Sequence, residues 1–186
     1  MRSRNVLLAS ALVLGVSVSW NVAAQTGHIP PKTDAAMIAN AMSAAPKAIS
    51  GNATIVVMEN DKMRTLRKGS GGFTCVPDDP TSPGNDPMCL DNNAMGWLTA
   101  LMEHKEPLKG KAGVVYMLQG GSDASNDDPF ATAPAAGKKW VTTGPHVMVV
   151  GATEMLSGYP TTADDPTKPY IMWPGTPYQH IMMPVK

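Results

Sequence analysis

Two stretches of the chain place a histidine two positions ahead of a methionine: GPHVMVVG at 144–151 and YQHIMMPV at 178–185. Both runs read as β-strands. Residues i and i+2 of a strand face the same side, so His146 pairs with Met148 and His180 with Met182. Imidazole and thioether both bind copper, and thioethers select Cu(I). If the two strands are neighbours, His146, Met148, His180 and Met182 offer four ligands to one ion. Direction decides whether they can. Parallel strands bring the two histidines to one rim. Antiparallel strands put them at opposite ends, further apart than one metal ion bridges. The competing reading is two core strands. Methionine fills irregular core space, and a histidine at the start of a strand commonly bonds a nearby carbonyl. Rings held only by carbonyls weaken both the metal and the enzyme readings.

A hydrolase-type enzyme needs a base and an orienting acid. His104, His146 and His180 are the candidate bases, with Glu103, Asp123 and Glu154 as acids. His28 lies in the leader and is set aside. His104, His146, His180, Ser122 and Asp123 are also the candidate lining of a small-ligand pocket. Ser122 and Asp123 follow Gly120-Gly121 after an apolar strand, in a long connection whose backbone N–H groups could hold an anion. The sequence has no H-E-x-x-H, no G-x-S-x-G and no P-loop. A binding module therefore takes precedence over a catalyst.

The N-terminus supplies a compartment. MRSRNVLLASALVLGVSVSWNVAAQ has Arg2 and Arg4, then an uncharged run from Val6 to Trp20, then small residues to Ala24. This is the pattern of a secretory signal peptide cleaved after Ala24, and its apolar run is short for a span. The mature chain, 25–186, is expected in a periplasm or outside the cell without a membrane anchor. The signal peptide holds two of the 15 basic residues and none of the 15 acids, so cleavage leaves 13 against 15. That balance is unlike the basic footprint of a nucleic-acid binder. The expected partner is a small molecule or a protein.

Export gives the two cysteines a role. Cys75 and Cys89 flank VPDDPTSPGNDPM, which has four prolines and little apolar area to order it. A disulfide between them closes a 15-residue loop and stabilises by ~3 kcal/mol in the chain-entropy model. The C-x-x-C spacing of a redox pair is missing. Asp-Asp-Pro recurs at 78–80, 127–129 and 164–166. Turn chemistry, with Asp bonding its own backbone, is the expected role. Calcium is the alternative, although none of the three fits an EF-hand loop.

Elements must position these groups. Asp34 is expected to cap a helix over AAMIANAMSAA, stopped by Pro46. A hairpin follows, with strands 53–59 and 62–68 about Asn60-Asp61; its polar return strand reads as an edge. LDNNAMGWLTALMEHK is a helix capped by Asp91 or Asn92. Met95, Leu98, Leu101 and Met102 form its stripe, with Ala94 and Trp97 beside it, and His104 sits in its last turn. Trp97, Leu98, Leu101 and Met102 are expected to dock on the strand 112–118. Trp140–Thr143 leads into HVMVVG, and YIMW and HIMMPV close the chain. The order predicts an α+β fold. It is a single domain with a mixed or antiparallel sheet of about five or six strands, two helices on one face and one disulfide. The expected divisions are a signal peptide 1–24, a flexible leader 25–33 and one domain 34–186.

The segments FTCVPDDP, SPGNDPMCLD and GTPYQHIMMPV resemble an uncharacterised family of exported bacterial proteins, a likeness spanning most of 53–186. The resemblance implies export and a single domain, and carries no activity, cofactor or catalytic residue. Methionine remains the oddity of composition. Without Met1 there are 13 Met against 7 Leu in the mature chain.

Overall fold

The computed structural model describes residues 28–59 and 62–185. The signal peptide and the Asn60-Asp61 turn lie outside the described residues. The elements run α1 (Asp34–Ser43), α2 (Lys47–Ser50), β1 (Thr54–Glu59), β2 (Lys62–Arg67), β3 (Phe73–Val76), β4 (Met88–Asp91) and α3 (Asn92–Met102). There follow β5 (Gly113–Met117), β6 (Gly121–Asp123), β7 (Val141–Thr143), β8 (His146–Val150), a short 3-10 turn (Thr153–Met155), β9 (Tyr170–Met172) and β10 (His180–Pro184). Among the described residues no helix is long and apolar enough to cross a membrane.

The fold is α+β, with one large sheet of eight strands in the order β2-β1-β3-β4-β5-β8-β10-β9. Only β1 and β3 pair in parallel; the other neighbours are antiparallel. The polar strand β2 is an edge, as its composition requires. The sheet exceeds the expected five or six strands because the disulfide segment supplies two of them. β3 and β4 form a hairpin in which Cys75 stands directly opposite Cys89, and the pair is bonded. The proline-rich segment between them is ordered from within as well as by the staple. Asp78 Oδ1 accepts from the Asp86 N–H, and Asp86 Oδ1 accepts from the Asp79 N–H. The leader joins this loop through His28 Nε2, 2.8 Å from Asp78 Oδ2. A second, two-stranded sheet pairs β6 with β7. Residues 121–123, expected in a loop, are therefore a strand.

The two long helices lie on opposite faces of the sheet, not on one. Strand alternation separates Leu90 from Cys89 and Val115 from Tyr116. α1 covers the side of Ile55, Cys75, Cys89 and Tyr116. α3 covers the side of Leu90, Val115, Met117, Met148 and Met182. Thr33, not Asp34, caps α1, accepting from the Ala36 N–H. Asp34 sits in the first turn and binds Arg64 of β2.

Asp91 joins α3 to the sheet. Its Oδ1 caps the helix at the Ala94 N–H and its Oδ2 accepts from the Val114 N–H of β5. Gly113 lets the two backbones meet, since a Cβ there would fall 2.3 Å from the Ala94 nitrogen. The buried stripe of α3 runs through Ala94 and Trp97, with Leu98 and Leu101 half-buried. Met102 is 49% exposed. It lies about 140° around the helix axis from Trp97, off the face that docks. Helix α3 ends at Met102, so His104 is beyond it, exposed and in a left-handed conformation with φ 54°.

The three Asp-Asp-Pro segments share one local structure. In each, the second aspartate accepts from the N–H two residues on: Asp79 from Thr81, Asp128 from Phe130 and Asp165 from Thr167. This is the turn chemistry expected of them.

Candidate functional site

The α3 face of the sheet is where strand alternation gathers the methionines. β8 and β10 pair antiparallel with Met148 opposite Met182, and β9 pairs with β10 with Met172 opposite His180. Met117 of β5 stands opposite His146. These side chains share one face, and Met117, Met148, Met172, His180 and Met182 form the floor of a cavity of about 450 Å³. Helix α3 walls it with Trp97, Leu98 and Leu101; the segments around Ala131 and Trp140 and the start of the 173–180 turn at Trp173 close other sides.

One edge is acidic. Asp79 and Asp86 enter from the disulfide loop and Asp123 from β6, beside Ser122. No Lys or Arg is among the described residues that line the cavity. Burial pushes Asp123 up to about 7, with the charge of Asp86 adding to the effect and no hydrogen bond opposing it. Burial likewise raises Asp86 to about 6, against hydrogen bonds from Ser82 and the Asp79 N–H that favour its charged form. Tyr170 lies behind this edge. Its hydroxyl bonds Thr143 Oγ1 at 2.6 Å, and burial, with the charge of Asp123 adding, raises it to about 12.

His180 is buried at the floor. Its Nδ1 lies 3.0 Å from the carbonyl of Tyr178. A carbonyl only accepts, so Nδ1 carries the proton and Nε2 presents a lone pair. That Nε2 is buried without a partner among the described residues, as is the indole N–H of Trp97. The ring packs edge to face against Trp97 and Trp173 at 5.2 and 5.0 Å, and the two indoles stack on each other at 6.0 Å. Burial lowers its pKa to about 4. His146 has the same local form. Its Nδ1 donates to the Gly144 carbonyl at 2.7 Å, its Nε2 has no partner among the described residues, and burial lowers its pKa.

The antiparallel register answers the question of a shared rim. His146 faces Pro184, while His180 lies four positions back along β10. At ~3.4 Å per residue the two Cα positions differ by more than 13 Å along the strands, so the two strand starts do not coincide, although the rings are near enough for a charge on His146 to add to burial in lowering the pKa of His180. Of the candidate residues, His180, Ser122, Asp123, Met148 and Met182 line the cavity. His146 lies beside it, next to Met117 and Gly121. His104 is not among the lining residues and stacks on Phe130 at 4.2 Å. Neither buried histidine is oriented by a carboxylate; both Nδ1 atoms bind carbonyls, the arrangement expected to weaken the metal and enzyme readings, and only the unpartnered Nε2 atoms speak for a ligand.

Sequence reasoning missed Met172, Trp97, Trp173 and Asp86 as cavity residues. Alternation in YIMW was a usable signal for Met172. Nothing local pointed Asp86 inward. A second hollow of about 340 Å³, between residues 106–110 and the 3-10 turn, holds no histidine, cysteine or methionine.

Compared with protein-family models, curated proteins and solved structures, the chain matches none. The chemistry of the cavity therefore rests on its own residues. Among those described, no three His, Cys, Asp or Glu side chains gather as a metal site. Both cysteines are in the disulfide. What the cavity offers instead is thioethers, indoles, one neutral imidazole and carboxyls.

Proposed function

We propose that this is an exported binding protein whose cavity takes a small cation. The observation that carries the reading is the cavity's charge pattern: three aspartates and no basic residue among its described lining. Asp123 is unpaired in the sense that matters. It is raised by burial with no cation beside it to hold it ionised. A bound cation would supply that charge. Indole faces and polarizable thioethers opposite the carboxyls are also favourable surroundings for positive charge. A volume of about 450 Å³ falls within the range of small-ligand pockets. Export is supported by the signal-like N-terminus, and the disulfide is compatible with an oxidising compartment.

The test uses the fluorescence of Trp97, Trp140 and Trp173, which line the cavity. The purified protein is titrated with an aryl trimethylammonium compound, its neutral tert-butyl isostere, an aryl carboxylate, and Ag(I). Saturable binding of at least one cation, with neither the neutral nor the anionic compound bound, is the expected result. Equal binding of the neutral isostere, or no binding by any cation, overturns the reading.

A further inference from the structure

The floor of the cavity carries a more specific ligand class, in a step that rests on the cation reading above. We infer that the cation is a soft monovalent metal ion, Cu(I), held by Nε2 of His180 and the thioethers of Met172, Met182 and Met148.

Strand register assembles this donor set. Met172 is the direct cross-strand partner of His180. Met182 is two residues along the same strand on the same face, and Met148 is its cross-strand partner. Directly opposed Cβ atoms in an antiparallel pair lie about 4.5–5.5 Å apart. Side chains as long as methionine and histidine can then converge above one point. All four residues are buried and all line the cavity.

The imidazole is already arranged as a ligand. The Nδ1–H bond to the Tyr178 carbonyl fixes both the tautomer and the ring orientation, which is the outer support that ligating histidines usually have. A purely structural histidine would be content with that bond only if its other nitrogen were satisfied or wet. Here Nε2 is buried with no partner among the described residues, and an orphaned buried acceptor is unfavourable. A metal ion satisfies it.

The donor types select the metal. Thioethers are soft and suit Cu(I); carboxylate and carbonyl sites suit Mg(II) and Ca(II). The carboxyls at the cavity edge are hard donors, but among the described residues no three His, Cys, Asp or Glu side chains gather as a metal site. The stacked pair Trp97 and Trp173 packs against His180 and would shield a bound ion from water. Register leaves His146 outside this set, and Met172 takes the place that the paired His-x-Met pattern assigned to it.

The probe is Ag(I), a redox-stable stand-in for Cu(I), followed by Cu(I) in competition with a chromophoric chelator. One ion per chain is expected. Met172→Leu and Met182→Leu conserve volume, so the fold should survive. Each should weaken binding by roughly tenfold or more, since loss of even an outer-shell partner of a metal ligand has an effect on that scale. Met63→Leu, at an exposed site on β2, should leave affinity unchanged. X-ray absorption of the Cu(I) form should show sulfur scatterers. Affinity indifferent to both floor variants, or a purely nitrogen and oxygen shell, overturns the site. Binding of the organic ammonium without Ag(I) overturns the metal and leaves the cation reading standing. Failure of every cation removes both.

Discussion

His180 donates from Nδ1 to the carbonyl of Tyr178, in the turn just before β10, and so leaves its Nε2 as a buried lone pair without a partner among the described residues. The bond is local, but its consequence is tertiary. The ring is buried against the stacked pair Trp97 and Trp173, where protonation would bury an unpaired charge. Its folded pKa, about 4, is below the ordinary 6.5. The unfolded chain thus binds the proton more readily between those values. The stability contribution is present above pH 6.5 and is lost as pH falls toward 4. Nitrogen chemical shifts of the imidazole should report a neutral, Nδ1-protonated ring at pH 5.5. A ring already charged there would contradict the burial argument.

Asp123 works in the opposite direction. Its folded pKa, about 7, is raised above the ordinary 3.8. The folded state therefore holds its proton longer than the unfolded chain does. The stabilising difference is present below about pH 4 and is lost as pH rises through 7. Asp86 from the disulfide loop and Tyr170 from β9 face the same region and titrate at about 6 and about 12. Asp123→Asn should gain stability relative to the wild type as pH goes from 4 to 8, read as a widening gap in denaturant midpoints. A gap that stays constant with pH would show that Asp123 is not desolvated.

Asp91 is the hinge between α3 and the sheet. Replacing it with Ala removes an N-cap, worth ~1 kcal/mol, and strips the Val114 N–H of its acceptor, worth a further ~1–3 kcal/mol if that group stays buried. Urea unfolding of Asp91→Ala should show a loss of about 2–4 kcal/mol. Asp91→Asn should recover part of it. A loss under half a kcal/mol would mean that water replaces both bonds.

The Cys75–Cys89 bond closes the hairpin that carries Asp79 and Asp86 to the cavity edge. Substituting both cysteines with Ala should lower stability by ~3 kcal/mol. Cation affinity should fall as well, because the acidic wall loses its anchor. Unchanged affinity in a destabilised variant would assign ordering of the loop to its own Asp78 and Asp86 bonds instead.

Local pattern alone was enough for many elements of this protein. Apolar periodicity marks α1, α3, β5, β8 and β10, and the polar composition of Lys62–Arg67 marks β2 as an edge. Cysteine arithmetic left one pairing, and Asp-Asp-Pro announced its turns. Each of these signals arises within a few residues of chain, where dihedral preference and side-chain period act directly. Other facts depend on which segments meet. The disulfide segment gave no strand signal on its own, because FTCV and MCLD become strands only when β1 and β5 supply their hydrogen bonds. The placement of α1 and α3 on opposite faces follows from register across β4 and β5, which no single segment encodes. The same holds for the site. Alternation predicted that His180 and Met182 share a face, and they do. The antiparallel pairing of β8 with β10 then separated His146 from His180, and the pairing of β9 with β10 brought Met172 in. Spacing along a strand is set by covalent geometry, whereas direction and neighbour are set by the burial of the whole sheet. The chain therefore names its donor types in advance, and only the assembled sheet decides which of them converge.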